Sequence, residues 1–335
     1  MYLCKKIALK YSILDYPNVR PDKRQRTPIP FLGGLGFIIT SSSLMSFLWL
    51  TNKFNLFDSA SLLNQNLIFP FRLYWIIIAI GILTVGGILD DKYTLSSKQL
   101  SGYIIFAVLI AVFAGNLKIE AFSYPFNVFL PTFGFLPQAL AFFWILACTA
   151  ATKFLDGHDG LAATVSIIGL FSIASVSLFS NVFQPLIFLF ALIWISGISS
   201  FLFFNFPEAN LYLGESGAEV IGFIIGVLSI LSGAKVATAG TVIGWFIVDF
   251  ILVILTRYKQ KKPLFKADRN HWHHRLVDLG LNKIQVLIAT TVLMLVTAHL
   301  GLILPTQFKP LILLGQPIVL ALLLVHVWRV NKNTK

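Results

Sequence analysis

Paired carboxylates, glycine-flanked acids and a run of imidazoles are the residues of this chain that could do chemistry. In GGILDDKYTLSSKQL, Asp90 and Asp91 stand side by side where an apolar run ends, with Lys98 following. Adjacent carboxylates repel each other unless a cation is near, so the pair suits a cation or phosphate–metal site, or else a solvated helix end. In KFLDGHDGLAA, Asp156 and Asp159 are three apart and share a face on a helix, and Gly157 and Gly160 would let the backbone approach a ligand closely. An Asp before an apolar run is also a good N-cap, but two Asp-Gly pairs exceed what one cap needs. In FNFPEANLYLGESGAEVIG, Glu215 and Glu219 are four apart at the head of the next run. Gly214 to Gly217 there would offer backbone N–H groups at a helix N-terminus, a natural anion site. Tyr212 could stack on a base or serve as an interfacial aromatic.

Asp249 lies inside the apolar run GWFIVDFILVIL. At such depth an ionisable group marks a functional site, unless it snorkels toward Arg257. Half of the six histidines fall in LFKADRNHWHHRL, as His271, His273 and His274, with Arg275 next. On a helix His271, His274 and Arg275 would share a face. With Arg269 and Arg275 beside them and no Cys nearby, phosphate is favoured over zinc, and a lipid-touching basic patch is the plainer reading. RPDKRQRTPIPFLGGLGF adds a basic run with Gly33 and Gly34, which suits phosphate or simple anchoring by charge.

The elements that must position these groups are membrane helices. Of 335 residues 57% are hydrophobic and 12% charged, and mean hydropathy is +0.81, which excludes a soluble enzyme, a disordered chain and a coiled coil. The apolar runs are continuous rather than alternating, so the fold class is an all-α polytopic membrane protein and not a barrel. Ten spans are predicted, at about 31–51, 71–89, 102–116, 137–152, 160–179, 184–204, 217–233, 236–256, 285–304 and 311–328, the third and fourth of them short. Residues 121–138, rich in Phe and Pro, are predicted as an interfacial loop or hairpin. Ten spans put both termini on one side. That side carries all of the 26 Lys and Arg except Lys53, Arg72, Lys118, Lys235 and Lys309, and is therefore expected to be cytoplasmic. Ten of the 14 acidic residues fall there too. Topology does not demand this, so it points to a cytoplasmic-face site joining a charged substrate to a lipid headgroup. The net charge of +12 is then topological, and no nucleic-acid partner is implied. Cys4 and Cys148 match no disulfide framework or metal spacing. The N-terminal residues are not a signal peptide, because Lys10 breaks the apolar stretch.

The set PNVRPDKRQRTPIPFLGG, LDDKYTLSSK, FLDGHDGLA, NFPEANLYLGESG and FKADRNHWHHRL resembles the polyprenyl-phosphate N-acetylhexosamine-1-phosphate transferases (glycosyltransferase family 4). The motifs run in the family's order over residues 17–280, and His-x-His-His-Arg resembles the UDP-N-acetylglucosamine branch. The resemblance implies a single integral-membrane transferase domain over 1–335, with a cytoplasmic basic segment 1–30 and a cytoplasmic His/Arg loop 257–284. It implies a bacterial inner-membrane location. It implies attack of polyprenyl phosphate on the β-phosphorus of a UDP-sugar, with UMP released and Mg²⁺ required, to initiate a cell-envelope glycan such as O-antigen. By resemblance Asp90 orients or deprotonates the lipid phosphate, and Asp91, Asp156 and Asp159 shape the catalytic site. Asn205 and Tyr212 contact uridine, and Lys98, His271, His273, His274 and Arg275 hold the diphosphate or sugar.

Three positions depart from the family pattern. Lys153 stands where Asn is usual, Glu215 where Asp is usual, and Gln25 where His is usual. Residues 1–16 stand as an amphipathic segment in place of the family's first span. Glu215 is expected at the metal position, yet a Lys ammonium cannot ligate Mg²⁺ and repels it. Either Lys153 supplies the positive charge, paired with Glu215, or the chain only binds UDP-sugar or polyprenyl phosphate. A transporter is the remaining class and would need ionisable pairs near the midplane. A homodimer is left open.

Overall fold

The computed structural model describes residues 1–16, 28–53, 68–119, 121–124, 128–131, 134–179, 184–232, 236–259, 261, 271–305 and 308–333. In chain order the elements are α1 (Tyr2–Lys10), β1 (Leu14–Asp15), β2 (Ile29–Pro30), α2 (Gly33–Lys53), α3 (Ile68–Tyr93) and α4 (Ser97–Leu109), which a π turn, Ile110–Ala114, prolongs. There follow β3 (Ala121–Tyr124), β4 (Val128–Pro131), α5 (Leu136–Leu155), α6 (Leu161–Phe179), α7 (Pro185–Asn205) and α8 (Gly214–Leu231). The chain continues as α9 (Val236–Lys259), α10 (Trp272–Asp278), α11 (Lys283–Ile303) and α12 (Lys309–Asn333). Each predicted span falls on a helix, and the chain is an all-α polytopic membrane protein.

Eight of these helices are long and apolar enough to cross a membrane, and α2 and α12 add shorter apolar stretches, Gly33–Leu48 and Lys309–Val319. The two spans expected to be short are not. Helix α4 with its π turn runs 18 residues and α5 runs 20. Capping explains the extra length of α4: Ser96 and Gln99 form a capping box that starts the helix in polar sequence. Asn282 and Gln285 do the same for α11. Strands β3 and β4 pair antiparallel as the predicted hairpin requires, with Ala121 opposite Pro131 and Tyr124 opposite Val128.

Helix α8 is the axis of the bundle. Every residue from 216 to 230 is buried. Without a hydrophobic drive between helices in lipid, close association rests on small residues. Here Gly222 abuts Cys148 and Thr152 of α5, Gly34 of α2 abuts Gly217, and Gly87 of α3 abuts the backbone of Ser216. A side chain at any of these glycines has no room. The head of α8 is thereby clamped between the ends of α2, α3 and α5.

Candidate active site at one end of the bundle

The ends of α3, α5, α7 and α9 meet the heads of α2, α4, α6, α8 and α11 at one end of the bundle, and the singled-out acids gather there. Helix α3 runs past its predicted end, so Asp90 and Asp91 sit in its last turn. Asp90 Oδ1 accepts from the Leu95 N–H at 2.7 Å, which folds the α3–α4 turn. Asp91 Oδ1 accepts the N–H of Glu215 at 3.0 Å, a carboxylate at the positive end of α8. Gly214, at φ +78°, lies against Asp91 Oδ2, where a Cβ would stand 2.6 Å away.

Lys153, in the last turn of α5, faces this pair. Its Nζ lies 2.7 Å from Glu215 Oε2, 3.2 Å from Glu219 Oε1 and 3.7 Å from Asp90 Oδ2. The ion pair expected between Lys153 and Glu215 is thus present. Glu215 and Glu219 share a face of α8, one turn apart, so a single ammonium reaches both. Glu219 is fully buried and accepts a second bond from the Tyr103 hydroxyl of α4 at 2.7 Å. Neither Glu219 nor Tyr103 was assigned a role from sequence. Two glutamates of like charge at helical spacing under an apolar run were the signal that a cation must be near.

The turn after α5 completes the cluster. Burial, then the charges of Glu215, Asp91 and Asp159, push the Asp156 carboxyl well above its usual range. Asp159 accepts from Lys283 Nζ of α11 at 2.7 Å. His158 Nε2 lies 3.0 Å from the Lys283 carbonyl, and burial lowers its pKa. Gly160, at φ +75°, donates its N–H to Asn205 Oδ1 at 2.9 Å, and Asn205 Nδ2 donates to the Leu211 carbonyl at 3.0 Å. Asn205 therefore ties the acidic turn to the segment that enters α8. Tyr212 in that segment has its phenol raised by burial and by the charges of Asp159 and Asp156, which keeps it protonated. Its backbone joins the N-terminal segment: Tyr212 N–H donates to Pro30 and Gly33 N–H to Tyr212, both at 2.9 Å.

The histidines are arranged differently from the helical pattern. His271 is the N-cap of α10, in extended backbone at φ −63° and ψ 144°, so the spacing of His271, His274 and Arg275 does not place them on one face. His271 is buried and Arg275 is exposed. His271 Nδ1 donates to Asp249 Oδ2 at 2.7 Å, and Trp272 N–H donates to Asp249 Oδ1 at 3.2 Å. Asp249 thus fixes the start of α10. The His271 and His273 rings are near parallel, 5.9 Å apart, and His274 lies 4.3 Å beyond His273. His273 and His274 close on Gly157, where a Cβ would meet their Nε2 atoms at 3.2 and 3.3 Å. The imidazoles and the acidic turn are therefore one site. Lys98 stands exposed in the first turn of α4. Gln25, Arg269 and the basic run 20–26 lie outside the described residues.

The sequence profile described as glycosyl transferase family 4 matches residues 73–233. A Bacillus subtilis (strain 168) protein named "Probable undecaprenyl-phosphate N-acetylglucosaminyl 1-phosphate transferase" is 32% identical over 84% of this chain and 74% of its own. The chain belongs to glycosyl transferase family 4. The Escherichia coli (strain K12) undecaprenyl-phosphate alpha-N-acetylglucosaminyl 1-phosphate transferase is 24% identical, over 90% of this chain and 79% of its own. The Yersinia pestis protein of the same name is 25% identical, over 90% and 80%. The profile spans α3 to α8, and so encloses the acidic cluster and Lys153, while α10 lies beyond it.

Magnesium, implied by the resemblance, fits this donor set poorly. Among the described residues no three His, Cys, Asp or Glu side chains converge as a metal cage. The oxygens of Glu215 and Glu219 that face the centre of the cluster face an ammonium.

Asp156 and His158 set opposite pH dependences. A carboxyl with a raised folded pKa is harder to ionise in the fold than in the unfolded chain. Asp156 therefore costs nothing below its ordinary 3.8 and costs stability as pH rises toward its folded value. His158, with a lowered pKa, contributes stability above its ordinary 6.5, which is lost as pH falls through its folded value. Asp156→Asn is expected to stabilise the protein at pH 8, with the gain fading as pH falls toward 3.8, read by chemical unfolding in detergent. A variant no more stable than the parent at pH 8 refutes the raised ionisation.

Proposed function

We propose that this chain transfers N-acetylglucosamine-1-phosphate, or a close N-acetylhexosamine equivalent, from a UDP-sugar to undecaprenyl phosphate, releasing UMP. The names of its relatives support this reading. The observation that carries it is the meeting of Asp90, Asp91, Asp156 and Glu215 with Lys153, His273 and His274 at one end of a membrane bundle. The distribution of Lys and Arg supports a site on the cytoplasmic face with both termini on that side, and the bacterial relatives support an inner-membrane location.

A phosphate monoester has its second pKa near 6, so the lipid phosphate is mostly a dianion at pH 7. Its oxygen attacks the β-phosphorus, and the bond from that phosphorus to the bridging oxygen breaks as UMP leaves. Positioning and charge neutralisation then carry the rate, rather than a strong base. Asp90, held by Leu95, takes the residual proton and orients the nucleophile. His273, His274 and Arg275 face the diphosphate or sugar, and Tyr212 faces the uridine. The Asn205 amide atoms bond backbone on both sides, so its part in nucleotide binding is to set the shape of that pocket.

The test is UMP release from UDP-N-acetylglucosamine by the purified chain with undecaprenyl phosphate. Lipid-dependent UMP release is expected. UDP-sugar binding without turnover would point instead to a binding-only homologue. A transporter has less support, because Asp249 within α9 bonds the start of α10.

A further inference from the structure

We propose that Lys153 is the built-in cation of this site, and that Asp90, Glu215 and Glu219 hold its ammonium in place of a divalent metal ion. The inference deepens the transferase reading and rests on it for its catalytic consequence. Lys153 Nζ has three N–H donors, and three carboxylates surround it at 2.7, 3.2 and 3.7 Å. These carboxylates come from two helices on either side, α3 and α8. Helices α5 and α8 are in direct contact at Gly222, which meets Cys148 and Thr152 without a gap and so holds Lys153 against the Glu215–Glu219 face.

A magnesium ion demands about six oxygens at about 2.0–2.1 Å. Sharing Glu215 Oε2 or Glu219 Oε1, it would sit within about 5 Å of Nζ, and both oxygens are already engaged by that donor. Glu215 has the reach that this pairing needs, since its carboxylate extends one methylene beyond that of an Asp. Tyr103 donates its hydroxyl to the same Glu219 oxygen, which adds a neutral donor and no ligand. Lys153 and Glu215 are the open members, at 19% and 34% side-chain exposure, so the ammonium remains reachable by a substrate phosphate. Positive charge for the diphosphate then comes from Lys153 and the α10 side.

The experiment uses the full chain in a neutral detergent. Binding of Mn²⁺ is read by electron paramagnetic resonance, and UMP release is measured in EDTA and with Mg²⁺. The wild-type chain is expected to bind no Mn²⁺ that Asp90→Asn abolishes, and to turn over in EDTA within about twofold of its rate with Mg²⁺. Lys153→Arg should still exclude Mn²⁺, and Lys153→Asn should acquire a Mn²⁺ site and lose metal-free turnover by at least about 100-fold. Stoichiometric Mn²⁺ on the wild-type chain, lost in Asp90→Asn or Glu215→Gln, overturns the inference. So does turnover that EDTA abolishes and Mg²⁺ restores. Absence of UMP release under both conditions counts against the transferase reading alone, and the wild-type Mn²⁺ spectrum still decides the cation.

Discussion

Asp90→Asn is expected to slow UMP release by about 10²–10⁴-fold with little change in fold. The substitution isolates charge from structure. Asp90 Oδ1 accepts the Leu95 N–H, and an amide oxygen can accept the same bond. The α3–α4 turn therefore keeps its anchor, while the carboxylate that takes a proton and faces Lys153 is gone. Since the lipid phosphate is already largely a dianion at pH 7, the loss should shrink at higher pH, where no proton remains to be removed. A pH-independent loss would assign Asp90 to placement rather than proton transfer. A loss under about threefold would remove it from the chemistry altogether.

Lys153→Met should destabilise the protein by about 3–5 kcal/mol, the cost of stranding buried charge when one partner is removed. Glu219 dominates this figure, because it is fully buried, whereas Glu215 is a third exposed and partly screened by solvent. Adding Glu219→Gln to Lys153→Met should recover much of the loss, since the amide needs no counter-charge and can still accept from Tyr103. The double-mutant cycle measures that coupling directly, by unfolding in denaturant and detergent. A single-variant cost below about 1 kcal/mol would mean that water, not protein, surrounds the cluster.

Much of this arrangement was legible in the sequence. Continuous apolar runs placed a helix at each of the ten predicted spans, eight of them long and apolar enough to cross a membrane, because a helix in lipid must be apolar along its length. The Lys153–Glu215 pair followed from two unusual residues whose changes compensate each other. What was hidden depended on three-dimensional partners. Lys283 bonds Asp159 and holds His158 from 124 and 125 residues away, a distance no local pattern spans. Asp249 was visible as an anomaly, but its partner was not, because His271 lies beyond a polar segment. The expected face shared by His271, His274 and Arg275 failed for a local reason: helix α10 begins one residue later, at Trp272. The spacing of Glu215 and Glu219 calls for a cation, but which neighbouring helix supplies it is visible only in three dimensions.

The clamped head of α8 has a consequence for how this protein can vary. Glu215 and Glu219 are carried on backbone that touches backbone, with Gly34, Gly87 and Gly222 as the points of contact. The small Thr152 and Ser216 side chains that lie against Gly222 and Gly87 leave little to trim and no room to enlarge. Substitutions are more easily accommodated on the imidazole side, where α10 meets Gly157 through the rings of His273 and His274. The acidic wall acts as a fixed die, and the opposite wall is the adjustable tool.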